Sequence, residues 1–499
     1  MVPGMNIICL IVDRLHAAYL GAYGNSWIRT PAIDRLAAEG FVFDHSIADT
    51  PCLAAGCQSY WLGRHAMQDA SPPGRAANIA SAHAGSGGTQ SQSGIRQTAA
   101  SADQQAADSL MSVCRGADVE SFLLSDAPNV LRHPLAFEFD DRLAIEPCWE
   151  PRVVESLEET HFARCFAEIM NFLDEPPERF LLWAHLAGLG TVWDAPPEFR
   201  EAYWDDEDPP PRHSADVPDL VLPEGFDPDL LLPITQAYAG QVTLLDACLG
   251  GLLELLEESP LGRDTALVLT SPRGMPLGEH RRVGVGGIAG SDSGRGNAGD
   301  EIGDDIPDEP IHGELIQVPL LVRLPGSTAA KDVAEPRGRS QLLVQRPGLW
   351  ATLVELVGGD PLAVRPSQPW AESLLPIIRG ELGEPSSLAE SGGSAKSEEV
   401  GVSGEGRAGG ARWERGRAGV VGPGGQWGLR TPAWYLRLTD RPQLYAKPED
   451  RWEMNDVADR CREVVEEMLA ELGQYSEAIQ AHQNPHASPL SPLLRDGLE

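Results

Sequence analysis

The sequence predicts an α/β protein: a mostly parallel central sheet sandwiched by helices, followed by a small C-terminal domain of antiparallel strands and one helix. Residues 5–64 read as strand, helix and strand in that order, which is typical of a parallel sheet. The apolar runs FLLWAHLAG and TALVLTS read as buried strands. Towards the end of the chain, the short strands WYLRLTD and QLYAKPED precede a helix through VVEEMLAELGQY.

The first strand–helix–strand unit has recognisable boundaries. The β-rich run NIICLIVD is followed by a turn region and by the helix-like stretch TPAIDRLAAEG. In that stretch Thr30 is placed to cap the helix, Pro31 occupies its first position and Gly40 ends it. The β-branched run FVFDHSIA then predicts the second strand.

Longer helices alternate with the later strands. The stretch VESLEETHFARCFAEIMNFLDE predicts a helix before the first apolar run, and residues 229–258 predict a long helix because apolar residues recur near a period of 3.6. The strand QVPLLVRLPG and the helix LWATLVELVGG follow. Three segments of low complexity interrupt this pattern and predict two insertions and a linker, at 71–109, 284–312 and 384–412.

Composition excludes several classes of partner. The 499 residues carry 39 Lys+Arg against 74 Asp+Glu, a formal net charge of −35, which argues against nucleic acid or an anionic membrane surface. The apolar run near the N-terminus is shorter than the core of a signal peptide, and no stretch of about 18 apolar residues predicts a membrane span. The eight cysteines show no CxxC and no Cys/His spacing typical of zinc. We therefore expect a reduced, cytoplasmic protein.

Several stretches together resemble one family, the sulfatases of the alkaline-phosphatase-like superfamily. They are NIICLIVDRLHAAYLGAYGN, TALVLTSPRGMPLGEH, ELIQVPLLVRLPG, WAESLLPIIRG and the tail QLYAKPEDRWEMNDVADR, and they occur in the family's order between about residues 5 and 470. The resemblance implies the sulfatase fold. It also implies a domain division: a sulfatase-like α/β domain at 5–383, a linker at 384–412, a small C-terminal subdomain at 413–480 and a tail at 481–499.

The resemblance also implies a calcium site, and this sequence departs from it. Asp13 stands at the end of the first strand, but Arg14 follows where the family usually has a second acidic residue. In TSPRG, Pro272 and Arg273 replace the acidic and His/Asn ligands of the family's TSDHG loop. Because Ca²⁺ usually takes six to eight oxygen ligands, Asp13 alone is too few, and we predict that no metal binds here.

The family's formylglycine nucleophile is made from a C-x-P-S-R motif, and this sequence reads TPCLAAGCQSYWLGR there. Counting back from Gly63 places Leu53 at the nucleophile, and a one-residue slip would offer Cys52. The Pro-Ser-Arg signal is absent in either alignment, so no formylglycine is expected. Cys52 and Cys57 remain weak candidates for a thiolate nucleophile, against the alternative of inert buried thiols.

The sulfate-binding side is reduced as well. His185 matches a strand-end histidine of the family and is either a site residue or a core histidine, and Leu189-Gly190 replace the catalytic Pro-His. The only lysines are Lys331, Lys396 and Lys447, which do not match the family's active-site lysines. The candidate ligand-binding residues are instead three arginines, which could form a metal-free oxyanion site, and one loop histidine: Arg14, Arg64, Arg273 and His280.

Three functions remain open from the sequence. The first is a catalytically inactive sulfatase homologue that binds a small oxyanion, a sulfated ligand or a partner. The second is a divergent hydrolase of sulfate or phosphate esters with a rewired site, which requires Asp13, a cysteine sulfur and His185 to converge. The third is a structural or assembly role, which would be marked by a large apolar surface patch.

Overall fold

The structure is a computed structural model, and it describes residues 5–70, 108–284, 310–325, 338–364, 368–381 and 416–498. The low-complexity segments predicted at 71–109, 284–312 and 384–412 fall almost entirely outside these described residues.

Fourteen strands are present in the described residues. They are β1 (Asn6–Val12), β2 (Phe41–Ser46), β3 (Glu120–Ser125), β4 (Asp141–Ala144), β5 (Phe180–Leu186), β6 (Asp219–Val221), β7 (Thr265–Thr270), β8 (Arg282–Gly284), β9 (Leu320–Arg323), β10 (Gly338–Val344), β11 (Ala418–Val421), β12 (Trp427–Arg430), β13 (Trp434–Leu438) and β14 (Pro442–Ala446).

The α-helices of the same residues are α1 (Pro31–Glu39), α2 (Leu53–Leu62), α3 (Leu110–Gly116), α4 (Pro128–Leu131), α5 (His161–Asp174), α6 (Pro197–Glu201), α7 (Leu232–Glu258), α8 (Gly313–Ile316), α9 (Arg346–Leu356), α10 (Pro361–Val364), α11 (Leu375–Ile378), α12 (Arg462–Gln480) and α13 (Pro492–Asp496). Short 3₁₀ turns connect several of them.

Eight strands form the central sheet in the order β10-β2-β9-β7-β1-β5-β3-β4. Every neighbouring pair is parallel except those made by β9, which runs antiparallel to β2 and β7. Because β9 is antiparallel to both of its neighbours, β2 and β7 point the same way as β1 and β5. Their carboxyl ends therefore meet at one edge of the sheet, where open α/β sheets place their ligands.

The middle of the sheet is covered on both faces. Every residue of β1 and of β5 is buried, as the continuous apolar character of their sequences predicts. The alternating side chains of β1 enter two separate hydrophobic clusters, one on each face. This rigid centre holds the loops after β1, β5 and β7 in fixed relative positions.

Helix α7 packs on one face of the sheet. The segment Pro228–Glu258 is long and apolar enough to cross a membrane by length and composition, but 67% of its most apolar window is buried inside the protein. Its contacts with α1, α5 and α6 show that it serves here as a core helix.

The C-terminal part contains a four-stranded antiparallel sheet in the order β11-β12-β13-β14, with α12 packed against it. The fold class predicted from the sequence is thus confirmed. The largest difference in a helix boundary is at α5, which begins at His161, several residues after the predicted start, because the Thr160 side chain accepts a hydrogen bond from the Ala163 N–H and caps the helix there.

Candidate active site

Three polar side chains meet at the carboxyl edge of the central sheet. Asp13 follows β1, and His185 is the second-last residue of the neighbouring strand β5. Arg273 lies in the loop after β7, the strand on the other side of β1. The Asp13 N–H donates to the Leu186 carbonyl at 2.9 Å, which fixes this carboxylate against the end of β5. These positions agree with the expectation that Asp13 stands at the carboxyl end of a parallel strand, whereas a functional role of the cluster stays a prediction.

Asp13 is neutralised by an arginine and not left open to solvent. Arg273 Nε and Nη2 donate to Asp13 Oδ1 and Oδ2, each at 3.0 Å, so both carboxylate oxygens are held by one guanidinium. Burial raises the pKa of Asp13, but the charges of Arg273 and Arg14 outweigh it, and the net pKa lies below its ordinary value. The carboxylate is therefore ionised and paired within the protein.

Arg14 lies beside this pair and is buried. Its backbone has a positive φ of 65°, its N–H donates to the Arg273 carbonyl at 3.1 Å, and its Nη1 donates to the Gly274 carbonyl at 3.3 Å. The Tyr238 hydroxyl donates to the Arg14 carbonyl at 2.8 Å. The structure thus brings Arg14 and Arg273 together, as the oxyanion hypothesis requires, while both side chains make contacts inside the protein.

A second buried ion pair adjoins the first, and the sequence analysis did not identify it. Arg346 Nη1 lies 3.2 Å from Asp49 Oδ1, and Asp49 Oδ2 accepts from the Ser59 hydroxyl at 2.6 Å. The same arginine donates to the Pro272 carbonyl in the loop after β7. The sequence positions of the two residues could have indicated this pair. Asp49 follows β2 and Arg346 follows β10, and because these neighbouring strands are parallel, their carboxyl ends lie at the same edge of the sheet.

Gly56 provides the space for Arg346. A Cβ atom built on Gly56 would lie 2.7 Å from Arg346 Nη1, so a side chain at this position of α2 would collide with the guanidinium unless it moved. The Arg346 guanidinium also lies 5.1 Å from the centre of the Tyr60 ring. The region that aligns with the family's nucleophile motif is therefore packed around an arginine from α9.

The position aligned with the nucleophile is apolar. Leu53 is the first residue of α2 and is buried, with Cys52 as the preceding N-cap residue. Cys52 is half-buried, and the carbonyl of its neighbour Pro51 accepts from Arg273 Nη1 at 3.4 Å. Cys57 is buried one turn further along α2. Of the two candidate thiols, only Cys52 is thus partly exposed at the helix terminus next to the Asp13–Arg273 pair.

His185 is fully enclosed at the end of β5. Neither ring nitrogen has a hydrogen-bond partner among the described residues. Burial lowers the pKa of His185 to about 4, with Arg273 and Arg346 acting in the same direction and Asp13 and Asp126 opposing them. The imidazole is therefore neutral near pH 7 and makes no charged contribution to the cluster.

We expect the buried His185 to make the fold sensitive to acid. Its pKa is lower in the folded than in the unfolded chain, so its contribution to stability is complete above the unfolded pKa of 6.5 and is lost as pH falls towards 4. Replacing His185 with leucine should reduce the loss of unfolding free energy between about pH 8 and pH 4.5 by about 2 kcal/mol. Urea unfolding of both proteins at the two pH values measures this. An unchanged pH dependence would contradict it, and His213→Leu, at a histidine outside the core, is the control.

The other two candidate ligand residues lie elsewhere. Arg64 Nη2 pairs with both oxygens of Asp69 at 2.7 Å, beyond the end of α2. His280 Nδ1 lies 2.8 Å from Glu314 Oε1, and its ring stacks on that of His312 with centres 3.4 Å apart. Its Nε2 lies 3.1 Å from the Glu453 carbonyl, so His280 connects the loop after β7 to the C-terminal part. A role of any of these residues in ligand binding stays a prediction.

The residues at the Asp13 site do not fit the family's Ca²⁺ ion. Both oxygens of Asp13 accept from Arg273, and one oxygen of Asp49 faces Arg346 while the other accepts from Ser59. Pro272 and the guanidiniums of Arg14 and Arg273 offer no oxygen from their side chains. A dication would have to displace two cations and recruit six or more oxygens, which this set of donors does not supply. Formylglycine is made from the thiol or hydroxyl side chain of a cysteine or serine, and Leu53, at the aligned nucleophile position, has neither group.

The central eight-stranded sheet, the site at its carboxyl edge and the small C-terminal sheet with its helix define an α/β protein of the alkaline-phosphatase-like class. A family model described as Sulfatase matches residues 5–358. The chain belongs to the sulfatase family.

Two curated sulfatases share short segments with the chain. Arylsulfatase D of Homo sapiens is 34% identical over 83 residues, which cover 17% of this chain and 14% of that protein. Steryl-sulfatase of Rattus norvegicus is 36% identical over 66 residues, which cover 13% of this chain and 11% of that protein. The matched segments therefore span only a small part of either relative.

Solved structures match over almost the whole length. A phosphonate monoester hydrolase of Agrobacterium radiobacter superimposes with a TM-score of 0.61 at 15% identity, covering 97% of each chain. A protein solved in complex with its substrate D-glucosamine-2-N,6-O-disulfate gives a TM-score of 0.62 at 15% identity, covering 97% of this chain and all of that one. At this level of identity the two matches establish the fold.

Proposed function

We propose that this chain is a sulfatase-family protein without metal-dependent ester hydrolase activity, which acts by binding a ligand or partner. The observation that carries the proposal is the pair between Asp13 and Arg273, in which one guanidinium holds both oxygens of the surviving metal-ligand position. The side chain of Arg273 thus supplies the positive charge that a calcium ion supplies in the family.

The neighbouring contacts also support a protein without metal-dependent hydrolase activity. Asp49 and Arg346 form a second pair, 3.2 Å apart, and both are buried. Leu53 fills the aligned nucleophile position. Breaking a buried pair by removing one partner typically costs about 3–5 kcal/mol, so a metal at Asp13 would have to offset the loss of the pair with Arg273.

The ligand that we propose carries a sulfate or a related oxyanion, for two reasons. Arginine pairs well with tetrahedral oxyanions, and Arg273 keeps 12% of its side chain exposed. A structural relative was solved with a disulfated glucosamine as its substrate. In this proposal the sulfate competes with Asp13 for the Arg273 guanidinium.

The experiment combines calcium loading, hydrolysis and ligand binding. We expect the protein to retain almost no calcium after loading and desalting and to release no product from 4-nitrocatechol sulfate, 4-nitrophenyl phosphate or a phenylphosphonate ester. D-glucosamine-2-N,6-O-disulfate should raise the midpoint of thermal unfolding, whereas glucosamine should not. At one hundred times its Kd, the bound ligand should add about 2.7 kcal/mol to the free energy of unfolding. Arg273→Gln should abolish this ligand-dependent shift, and Arg379→Gln, at an exposed pair with Glu355, should retain it.

A variant that restores the family's ligands provides the positive control for metal binding. Arg14→Asp, Pro272→Asp and Arg273→Asn together add carboxylate and amide oxygens around Asp13, and we expect about one tightly held Ca²⁺ per chain. About one calcium ion in the unaltered protein, or metal-dependent hydrolysis by it, would refute the proposal. A sulfated sugar that causes no thermal shift would remove the ligand assignment while leaving the absence of hydrolysis intact.

A rewired hydrolase remains the second candidate, and the placement of Cys52 favours it. The thiol is half-buried at the N-terminus of α2, and the adjacent Pro51 carbonyl accepts from Arg273. Metal-independent hydrolysis that is lost in Cys52→Ser and kept in Cys57→Ser would support this function.

A further inference from the structure

A second group of chemically active side chains lies one strand away from the Asp13 site. Asp126 directly follows β3, which pairs with β5, and it faces His161 and Cys165 of α5. The possible ligand atoms of these three residues all lie within 4.8 Å of one another. Asp126, His161 and Cys165 are exposed by only 2%, 3% and 0%. The function proposed above does not use them.

The spacing on α5 resembles that of a chelating pair. His161 and Cys165 are four residues apart, which places both side chains on the same face of a helix. The Thr160 side chain caps the helix, and the His161 N–H donates to Asp194 Oδ2 at 2.6 Å, so the first turn is fixed. The two ligand atoms are therefore presented together towards Asp126.

Asp126 is oriented by the backbone. Its Oδ1 accepts from the Ala187 N–H at 2.6 Å, and its Oδ2 lies 2.7 Å from His161 Nε2. One oxygen thus anchors the carboxylate, and the other points at the histidine. Hydrogen bonds of this kind commonly hold metal ligands in orientation.

We propose that Asp126, His161 and Cys165 form a site for a thiophilic divalent cation, of which Zn²⁺ is the physiological representative. The three ligands are the oxygen, nitrogen and sulfur donors that Zn²⁺ accepts, and a water molecule completes a tetrahedron. Tetrahedral ligand atoms around Zn²⁺ lie about 3.3–3.7 Å apart. His161 Nε2 and Asp126 Oδ2, now 2.7 Å apart, therefore have to separate by about 0.6 Å when the metal replaces their shared proton, and no other pair of ligand atoms has to approach by more than about 1 Å. The thiolate excludes Ca²⁺ and Mg²⁺, which prefer oxygen.

Charge balance favours a dication at this depth. The Asp126 carboxylate and a Cys165 thiolate together carry two negative charges, and with a neutral His161 they cancel the charge of the ion, so the loaded site is electrically neutral. The Cys165 thiol releases one proton to solvent when the metal binds. The His161 proton moves from Nε2 to Nδ1, so the imidazole stays neutral while Nε2 coordinates the metal.

Arg164 contacts the histidine of this site on the ring nitrogen that faces away from Asp126. Its Nη2 lies 3.2 Å from His161 Nδ1, a contact in which the guanidinium donates and the ring nitrogen accepts. When the metal occupies Nε2, Nδ1 carries a proton and can no longer accept, so Arg164 has to turn away. Arg164 is an exposed residue and can do so into solvent. Removing this competing donor should therefore strengthen metal binding.

The test uses the untagged full-length chain, stripped with a chelator, loaded with Zn²⁺ or Co²⁺ and desalted. We expect about one metal ion per chain, and for Co²⁺ a thiolate-to-metal charge-transfer band in the near ultraviolet. Cys165→Ser should lose this band, and Cys461→Ser, at a partly exposed cysteine on the N-terminal side of α12, should retain it.

Asp126→Asn should weaken Zn²⁺ binding by at least the factor of about 10–100 that is typical of a lost outer partner. Arg164→Gln should strengthen it.

The cobalt spectrum of the unaltered protein keeps the proposal falsifiable even if Cys165→Ser does not fold. Bound Co²⁺ without a sulfur charge-transfer band, or less than about one tenth of an ion per chain, overturns it. Equal Zn²⁺ affinity in the unaltered protein and in Asp126→Asn also overturns it. Because Asp13 and Arg273 are not ligands here, the failure of this site leaves the proposed function untouched.

Discussion

Replacing Glu453 with glutamine is expected to lower the free energy of unfolding by about 3–5 kcal/mol, because it leaves a buried lysine without its counter-charge. Glu453 is 4% exposed, and its carboxylate lies 2.9 Å from Lys447 Nζ and 2.8 Å from His312 Nδ1. It also accepts from the Gly313 N–H at 3.0 Å. Burial raises the pKa of Glu453, but His312 and Lys447 outweigh it and bring the pKa to about 2.

Urea unfolding measures the effect of this substitution, with Glu449→Gln as the matched control. Glu449 lies in the same loop and is exposed, so the control should change stability by less than about 0.5 kcal/mol. Glu453 joins the C-terminal part to α8 and, through its carbonyl 3.1 Å from His280 Nε2, to the loop after β7. Equal stabilities of the two variants would show that this network does not hold the C-terminal part in place.

Replacing Arg346 with methionine should cost a similar amount, about 3–5 kcal/mol, because Asp49 would remain buried without a cation. Asp49 is 0% and Arg346 is 4% exposed. The arginine also bridges to the Pro272 carbonyl, so its loss releases the loop that carries Arg273. Methionine retains much of the aliphatic volume, so the measured loss reports mainly the charge and its hydrogen bonds.

The double variant Asp49→Asn, Arg346→Met separates these contributions. Neutralising the carboxylate removes the unpaired charge, so we expect the double variant to recover stability relative to Arg346→Met alone. Arg379→Met is the surface control: its pair with Glu355 is 3.4 Å long and partly exposed, and its loss should cost less than about 1 kcal/mol. A double variant that is less stable than the single one would contradict the ion-pair account.

Much of the fold could be predicted because its signals are local. The apolar runs of β1, β5 and β7 and the period of α7 are properties of a few neighbouring residues, and hydrophobic burial depends on those patterns. The start of α5 was placed too early because the polar stretch before Thr160 has helical composition, whereas the cap decides where the helix begins. The pair His161 and Cys165 was not identified as a possible metal site because its third member, Asp126, lies just after β3, 35 residues before His161 in the chain.

The sequence by itself determined the fold class and the residues that align with the family's site, Arg14, Leu53, Pro272 and Arg273, since each is read from its own segment. Only the tertiary structure decided which charges pair. Asp13 and Arg273 are 260 residues apart, and Asp49 and Arg346 are 297 apart. An ion pair depends on which side chains come within about 4 Å and on how much water is excluded there, and long-range packing sets both.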